Sequence, residues 1–278
     1  MRIHLDTDIG SDTDDACALA MLLGWPGVEL VGITTVIDPG GRRAGFVQHC
    51  LELAGRTDIP VASSDAVSMT TRQIPGTIPD DERYWGGPIE PRPSKPGEAV
   101  SLLRSSVEAG AAIVAIGPYT NLAQLEARRA GSLGRVPVVL MGGFVTPADP
   151  GLPEWGPEMD WNVQCDTNAA QVVFANATNL TLVTVPPAFK AHLRLAHAHA
   201  ALPDDLLNFQ YDSVACAVAV GWAGARHQTM TLKPVLDAGV LRFAPHDRGR
   251  VTDVVVDIDT DDFTERWFSA VEATSSPR

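Results

Sequence analysis

Apolar residues in this chain fall in short runs that alternate between strand and helix periods. Ile3 to Leu5 is a brief apolar run that stops at an acidic loop, which predicts a strand and a turn. From about Thr13 to Gly24, Ala16, Leu19, Ala20, Leu22 and Leu23 recur at helical spacing, and Gly24 and Pro26 end the pattern. Val28 to Val36 is β-rich and almost wholly apolar, as a strand covered on both faces should be. The alternation continues with a helix over Arg42–Ala54, a strand over Ile59–Ala62, a helix over Ala99–Ala109 and a strand over Ala112–Ile116. A helix over Thr120–Arg129, a strand over Val136–Met141, a helix over Asn168–Ala175 and a strand over Leu180–Val185 follow. The last clear pair is a strand over Val251–Ile258 and a helix over Asp261–Val271. Two Pro/Gly-rich stretches, residues 63–98 and Phe144–Asp160, lack periodicity and read as long functional loops.

Strands alternating with helices predict an α/β fold with a mostly parallel, doubly wound, Rossmann-like sheet flanked by helices. No linker, repeat or low-complexity tract interrupts residues 1–278, so one domain is expected. In such sheets ligands sit beyond the carboxyl ends of the strands, which directs attention to each loop that follows a strand.

Composition narrows the partners. With 45% hydrophobic and 20% charged residues, the 278-residue chain is expected to bury a core. A net charge of -13 disfavours nucleic acid and anionic membranes and suits a small neutral substrate, or one met through a cation. Cys17, Cys50, Cys165 and Cys216 include no CxxC pair, which argues against a zinc knuckle or disulfide framework and for a reducing cytoplasm. The N-terminus runs straight into structure with no visible signal peptide, and no apolar run approaches the roughly 20 residues needed to span a bilayer.

The loop after the first strand carries the chemistry. Asp6, Asp8, Asp12, Asp14 and Asp15 lie within ten residues, between a strand end and a helix start. Like charges this close repel, and burying them demands compensation. Helix capping uses one or two acidic groups; a hard divalent cation such as Ca²⁺, which takes about six to eight oxygen ligands, accounts for the rest. For Asp12 alone, capping is as good a reading as metal binding. An EF-hand fails, because its Gly and Glu positions counted from Asp6 hold Ser11 and Cys17. A haloacid-dehalogenase-like, Mg²⁺-dependent phosphatase also opens with Asp-x-Asp; Lys190 and the Asp261–Asp262 pair are its nearest candidates, although that pair falls in the final helix.

Asp6-Thr7-Asp8-Ile9-Gly10 with Asp14-Asp15-Ala16 resembles the N-terminal signature of the inosine-uridine-preferring nucleoside hydrolases, Asp-x-Asp-Pro-Gly-x-Asp-Asp-Ala, with Ile9 for Pro and two extra residues before the Asp pair. The likeness runs along nearly the whole chain. Gly32-Ile33-Thr34-Thr35-Val36 resembles the family's second strand, Thr120-Asn121-Leu122-Ala123 its Thr-Asn-Leu/Ile-Ala segment, and Met141-Gly142-Gly143 its Met-Gly-Gly segment. Asp160-Trp161-Asn162 resembles its Glu-Phe-Asn, Tyr211-Asp212 stands where His-Asp is usual, and Asp261-Asp262-Phe263 with Trp267-Phe268 is also similar.

The resemblance implies Ca²⁺-dependent hydrolysis of a ribonucleoside N-glycosidic bond in a cytoplasmic enzyme that forms a dimer or tetramer. It implies carboxylate ligands to the metal from Asp8, Asp15 and Asp212, a carbonyl ligand from Thr120, and Asp8 as general base. Asp14 would hold a ribose hydroxyl, Asn162 the sugar with Asp160 nearby, and Asp38 the sugar again. The chemistry suits such groups, because carboxylates stabilise an oxocarbenium-like transition state. Two departures concern the leaving base. Tyr211 replaces a His proton donor and, with a pKa of about 10, donates a hydrogen bond more readily than a proton. Tyr84-Trp85-Gly86-Gly87 replaces a His-Gly segment, which makes Trp85 a stacking candidate beside Trp161, Trp155 and Trp222; His227 is a further candidate acid. Stacking eases the departure of a purine-like or modified base without a strong acid. A nucleoside or sugar binder with weak catalysis is the remaining alternative.

Overall fold

The structure, a computed structural model, describes residues 1–10, 12–64, 66–74, 85–147, 150, 155–188, 190–194 and 207–275. Among them, nine strands form one sheet in the order β10-β9-β11-β6-β5-β4-β1-β2-β3. These are β1 (Arg2–Thr7), β2 (Glu29–Thr35), β3 (Val61–Ser63), β4 (Ala112–Ala115), β5 (Pro137–Met141), β6 (Asn179–Val183), β9 (Ala225–Asp237), β10 (Val240–Pro245) and β11 (Arg250–Ile258). From β3 to β11 neighbours pair in parallel, as the alternating pattern predicts; β9 and β10 add an antiparallel edge. A separate antiparallel pair joins β7 (His192–Arg194) to β8 (Leu207–Phe209).

Side chains that alternate along the central strands feed two cores. Leu5, Val114 and Val139 face one side, with α1 (Asp14–Gly24), α2 (Arg42–Leu53), α8 (Tyr211–Ala219) and α9 (Thr260–Ser275). Ile113, Val138 and Leu182 face the other, with α3 (Glu98–Glu108), α4 (Thr120–Arg128) and α6 (Thr167–Asn176). Two short helices, α5 (Trp161–Cys165) and α7 (Val185–Ala188), sit in the connections after β5 and β6.

The sequence pattern does not predict β8, α8, β9 or β10. Leu232 is the one buried residue among the thirteen of β9, so the strand lacks an apolar period. Helix α8 is rich in small residues and buries Asp212 and Ser213 along with Val214 and Ala215, which blurs its polar face.

The chain starts in the middle of this sheet. From β1 it steps outward to β2 and β3, then returns to β4 on the other side of β1 and continues through β5 to β6. The carboxyl ends of β1 and β4 therefore flank the switch point where open α/β sheets bind ligands. Their loops approach closely: a Cβ built on Gly117 would lie 2.8 Å from the Asp8 amide nitrogen and 2.9 Å from Val36 Cγ1. We expect Gly117→Ala to cost about 1–3 kcal/mol through overpacking. Urea unfolding of the variant checks this; an unchanged midpoint would show that the two loops yield freely.

Candidate active site

Four of the carboxylates that line one cavity come from two distant parts of the chain. Asp8 follows β1, Asp14 and Asp15 occupy the first turn of α1, and Asp212 occupies the first turn of α8. All four are buried. Two helix N-termini thus meet the acidic groups with positive dipole ends. The turn between β1 and α1 needs Gly10, whose φ is +121° and whose hypothetical Cβ would lie 2.4 Å from the Phe46 ring. The Thr7 hydroxyl donates to Asp15 Oδ1.

The cavity has a volume of about 310 Å³ and is also lined by Asp12, Asp160 and Asn162, with Trp155, Trp161 and Tyr211 as an aromatic wall. Asp12 turns to this space, and Thr13, at the helix cap position, makes no side-chain capping bond. Carboxylate oxygens of Asp12, Asp14 and Asp15 lie within 4.8 Å of one another. Burial, then repulsion from neighbouring aspartates, pushes Asp14 and Asp212 well above the ordinary carboxylate range. Asp15 is raised in the same way by burial and Asp8, partly offset by Thr7 and by the guanidinium of Arg43. Asp8 is raised by burial, against the opposing pull of Arg43 and of the Trp161 indole, whose Nε1 donates to Asp8 Oδ2 at 3.0 Å. An all-oxygen, strongly anionic donor set of this kind fits a hard divalent cation.

Asn162 is bolted to the sheet: its Nδ2 donates to the carbonyls of Ile116 at 2.9 Å and Met141 at 3.1 Å. Asp160 caps α5, accepting from the amides of Val163 and Gly143, and burial raises its pKa to about 6. Phe209 stacks on Tyr211 at 5.7 Å and meets Trp155 edge-on at 6.5 Å, so β8 braces the aromatic wall.

Other residues singled out from the sequence lie elsewhere. Asp6 points to the opposite face of β1, where it accepts from Thr34 and from Asn121 Nδ2; it is fully buried, and its pKa rises to about 7 through burial. Asp38 does not line the cavity; it accepts from Thr35 Oγ1 at 2.8 Å and from the amides of Arg43 and Ala44 at 3.0 and 2.9 Å, fixing the start of α2. Thr120 is not a lining residue either, and its hydroxyl donates to Asp166 Oδ2 at 2.7 Å. Trp85 stacks on Phe46 at 4.6 Å, and Trp222 is buried with its indole donating to Asp262 Oδ2 at 2.6 Å. His227 pairs with Asp253 at 2.7 Å and Lys190 with Asp257 at 2.6 Å, both outside the cavity. Tyr84 lies outside the described residues.

Two supporting residues carry no sequence signal. Arg43 is a buried cation on α2, donating to the carbonyls of Ile9 at 2.9 Å and Ile37 at 3.3 Å. Ile37 itself adopts φ +55°, a strained turn that Asp38 and Arg43 hold in place. Asp166 caps α6 and accepts from Thr120 and from the amides of Met69 and Thr70, tying three segments together.

The profile of the family described as "inosine-uridine preferring nucleoside hydrolase" matches residues 3–265. The chain belongs to that family. Among its relatives, the pyrimidine-specific ribonucleoside hydrolase RihA of Salmonella paratyphi C is 30% identical over 205 residues, taking in 70% of this chain and 64% of the relative. The chain thus aligns with less than two thirds of that protein's length. A solved purine-preferring ribonucleoside hydrolase from Gardnerella vaginalis superposes with a TM-score of 0.77 at 20% identity, covering 99% of both chains. An inosine-uridine preferring nucleoside hydrolase from Bacillus anthracis gives 0.75 at 18% identity, covering 98% of this chain and 99% of that one. The family's fold and the cavity at the β1/β4 switch point therefore coincide in this chain.

Two outcomes follow for stability. Asp166→Ala leaves several buried donors unsatisfied and should cost at least about 2 kcal/mol in chemical unfolding, each orphaned group being worth about 1–3 kcal/mol. Loss of less than half that would place the strength of this junction elsewhere. The raised carboxylates set the second. Asp6 and Asp160 titrate at about 7 and about 6 when folded but near 3.8 when unfolded, so the folded chain keeps protons that the unfolded chain has already released. Stability therefore falls as pH rises from about 4 to about 7. Melting in chelator should be higher at about pH 5.5 than at about pH 7.5, and the reverse slope would contradict the assignment.

Proposed function

We propose that this chain hydrolyses the N-glycosidic bond of a ribonucleoside, with Ca²⁺ held by Asp8, Asp15 and Asp212, carboxylates that line the cavity. The single observation behind the reading is that Asp212 enters the same 310 Å³ cavity as Asp8, Asp14 and Asp15, some two hundred residues away in sequence. Calcium in this position supplies orientation of a water and a ribose diol, since it is a weak Lewis acid with many oxygen ligands.

The protein's own groups perform the rest. Asp8 takes the proton of the attacking water. Asp14 accepts from a ribose hydroxyl, and Asn162, immobilised by Ile116 and Met141, presents its side chain to the sugar beside Asp160. The ring of carboxylates stabilises positive charge on the ribose as the bond to the base breaks. Burial raises the Tyr211 hydroxyl far above neutrality, so Tyr211 keeps its proton and acts as a hydrogen-bond donor near the base. Trp155 and Trp161 offer stacking faces in the same cavity, which supports a purine-like or modified base. The named specificities of the relatives, pyrimidine in one and purine in the other, differ, so membership alone does not fix the base.

The four cysteines are free and the net charge is -13, which supports a cytoplasmic protein acting on a small molecule; the dimer or tetramer rests on the family resemblance alone. No described helix is long and apolar enough to cross a membrane. A panel of ribonucleosides, assayed for free base with Ca²⁺ and with chelator, tests the activity. Base release that chelator abolishes and Ca²⁺ restores is the expected outcome, and Asp8→Asn should lower kcat by at least about 100-fold. Full turnover in chelator, or in Asp8→Asn, would overturn the assigned roles.

A further inference from the structure

We propose that Trp161 is a positioning residue for Asp8, its indole N–H fixing the carboxylate that takes the water's proton; the inference rests on the functional reading above. Asp8 is repelled by Asp12, Asp14, Asp15 and Asp212, all of which line its cavity. An unrestrained carboxylate in that field rotates away from its neighbours. Two features prevent this. The indole Nε1 donates to Oδ2 at 3.0 Å, and the backbone of Gly117 closes on Oδ1, where a Cβ would come within 2.8 Å. The indole holds one carboxylate oxygen, and the Gly117 backbone leaves little room beside the other.

The donor is well mounted. Trp161 opens α5 between two anchored residues: Asp160 caps the helix through Val163 and accepts from the amide of Gly143 after β5, and Asn162 is tied to the ends of β4 and β5. The turn therefore projects the indole from the β4/β5 side of the crevice to the end of β1. About half of the side chain remains exposed, with its polar edge on Asp8 and its ring along the cavity. Phenylalanine, which stands in the equivalent segment of the family signature, keeps a ring but has no N–H. Stacking and positioning are thus separable by one substitution.

Trp161→Phe is expected to lower kcat at least about tenfold, the lower end for a hydrogen bond to a charged group, while KM changes less than about threefold. Trp161→Leu, which also removes the ring, should raise KM as well. A ring that only stacks predicts wild-type kcat in the Phe variant, and that result would overturn the proposal. A second readout needs no substrate. With ¹⁵N-labelled tryptophan, the indole resonance lost in Trp161→Phe identifies Trp161, and it should shift in Asp8→Asn and on addition of Ca²⁺. A resonance unmoved by Asp8→Asn would show that the hydrogen bond is not made. Absence of base release by the wild-type protein would instead remove the nucleosidase reading, whatever the resonance does.

Discussion

Mutual repulsion among Asp8, Asp14, Asp15 and Asp212 is the constraint around which the rest of the structure is organised. Four carboxyl groups are gathered and buried where the sheet reverses its strand order. Each is held above its ordinary pKa by burial and by its neighbours. The fold offsets this with two helix N-termini, one buried guanidinium and a few hydroxyl and indole donors. These contributions are individually small beside the cost of burying charge. On the proposed reading, a divalent cation would complete the balance and give the arrangement its use.

The aspartates divide by the company they keep. Asp38, Asp160 and Asp166 accept backbone amides and hold loops in place. Asp8, Asp15 and Asp212 face the cavity, where their donors include a threonine hydroxyl, an indole and the backbone amide of Asp8. Structural carboxylates are satisfied within the chain; the cavity carboxylates are left with capacity for a ligand. Arg43 links the two groups, since Asp38 orders the turn that carries it and its charge bears on Asp8 and Asp15.

The parallel half of the sheet was readable because its strands are buried on both faces and their loops carry Gly, Pro and Asp in recognisable order. Val28 to Val36 and Val136 to Met141 are examples, matching β2 and β5 within a residue or two at each end. The antiparallel edge was not readable, because β9 lies open to solvent along most of its length and shows no apolar period. Likewise, Asp8, Asp14, Asp15 and Asp212 announce themselves through motif and charge density, and the structure gathers them. Arg43 and Asp166 do not: an arginine in the first turn of a helix reads as part of a solvated face, and an aspartate before a helix reads as an ordinary cap. Asp6 is the converse case: it belongs to the same acidic run, yet it is paired with Thr34 and Asn121 and does not line the cavity.

On the proposed reading, one hard cation joins acidic groups that lie some two hundred residues apart in sequence. Calorimetric titration of the protein with Ca²⁺, alongside Asp212→Asn, tests it most directly. One ion per chain is expected, with an affinity reduced at least about tenfold by the substitution, as loss of a charged ligand requires. Binding of equal strength in both proteins, or none in either, would contradict it.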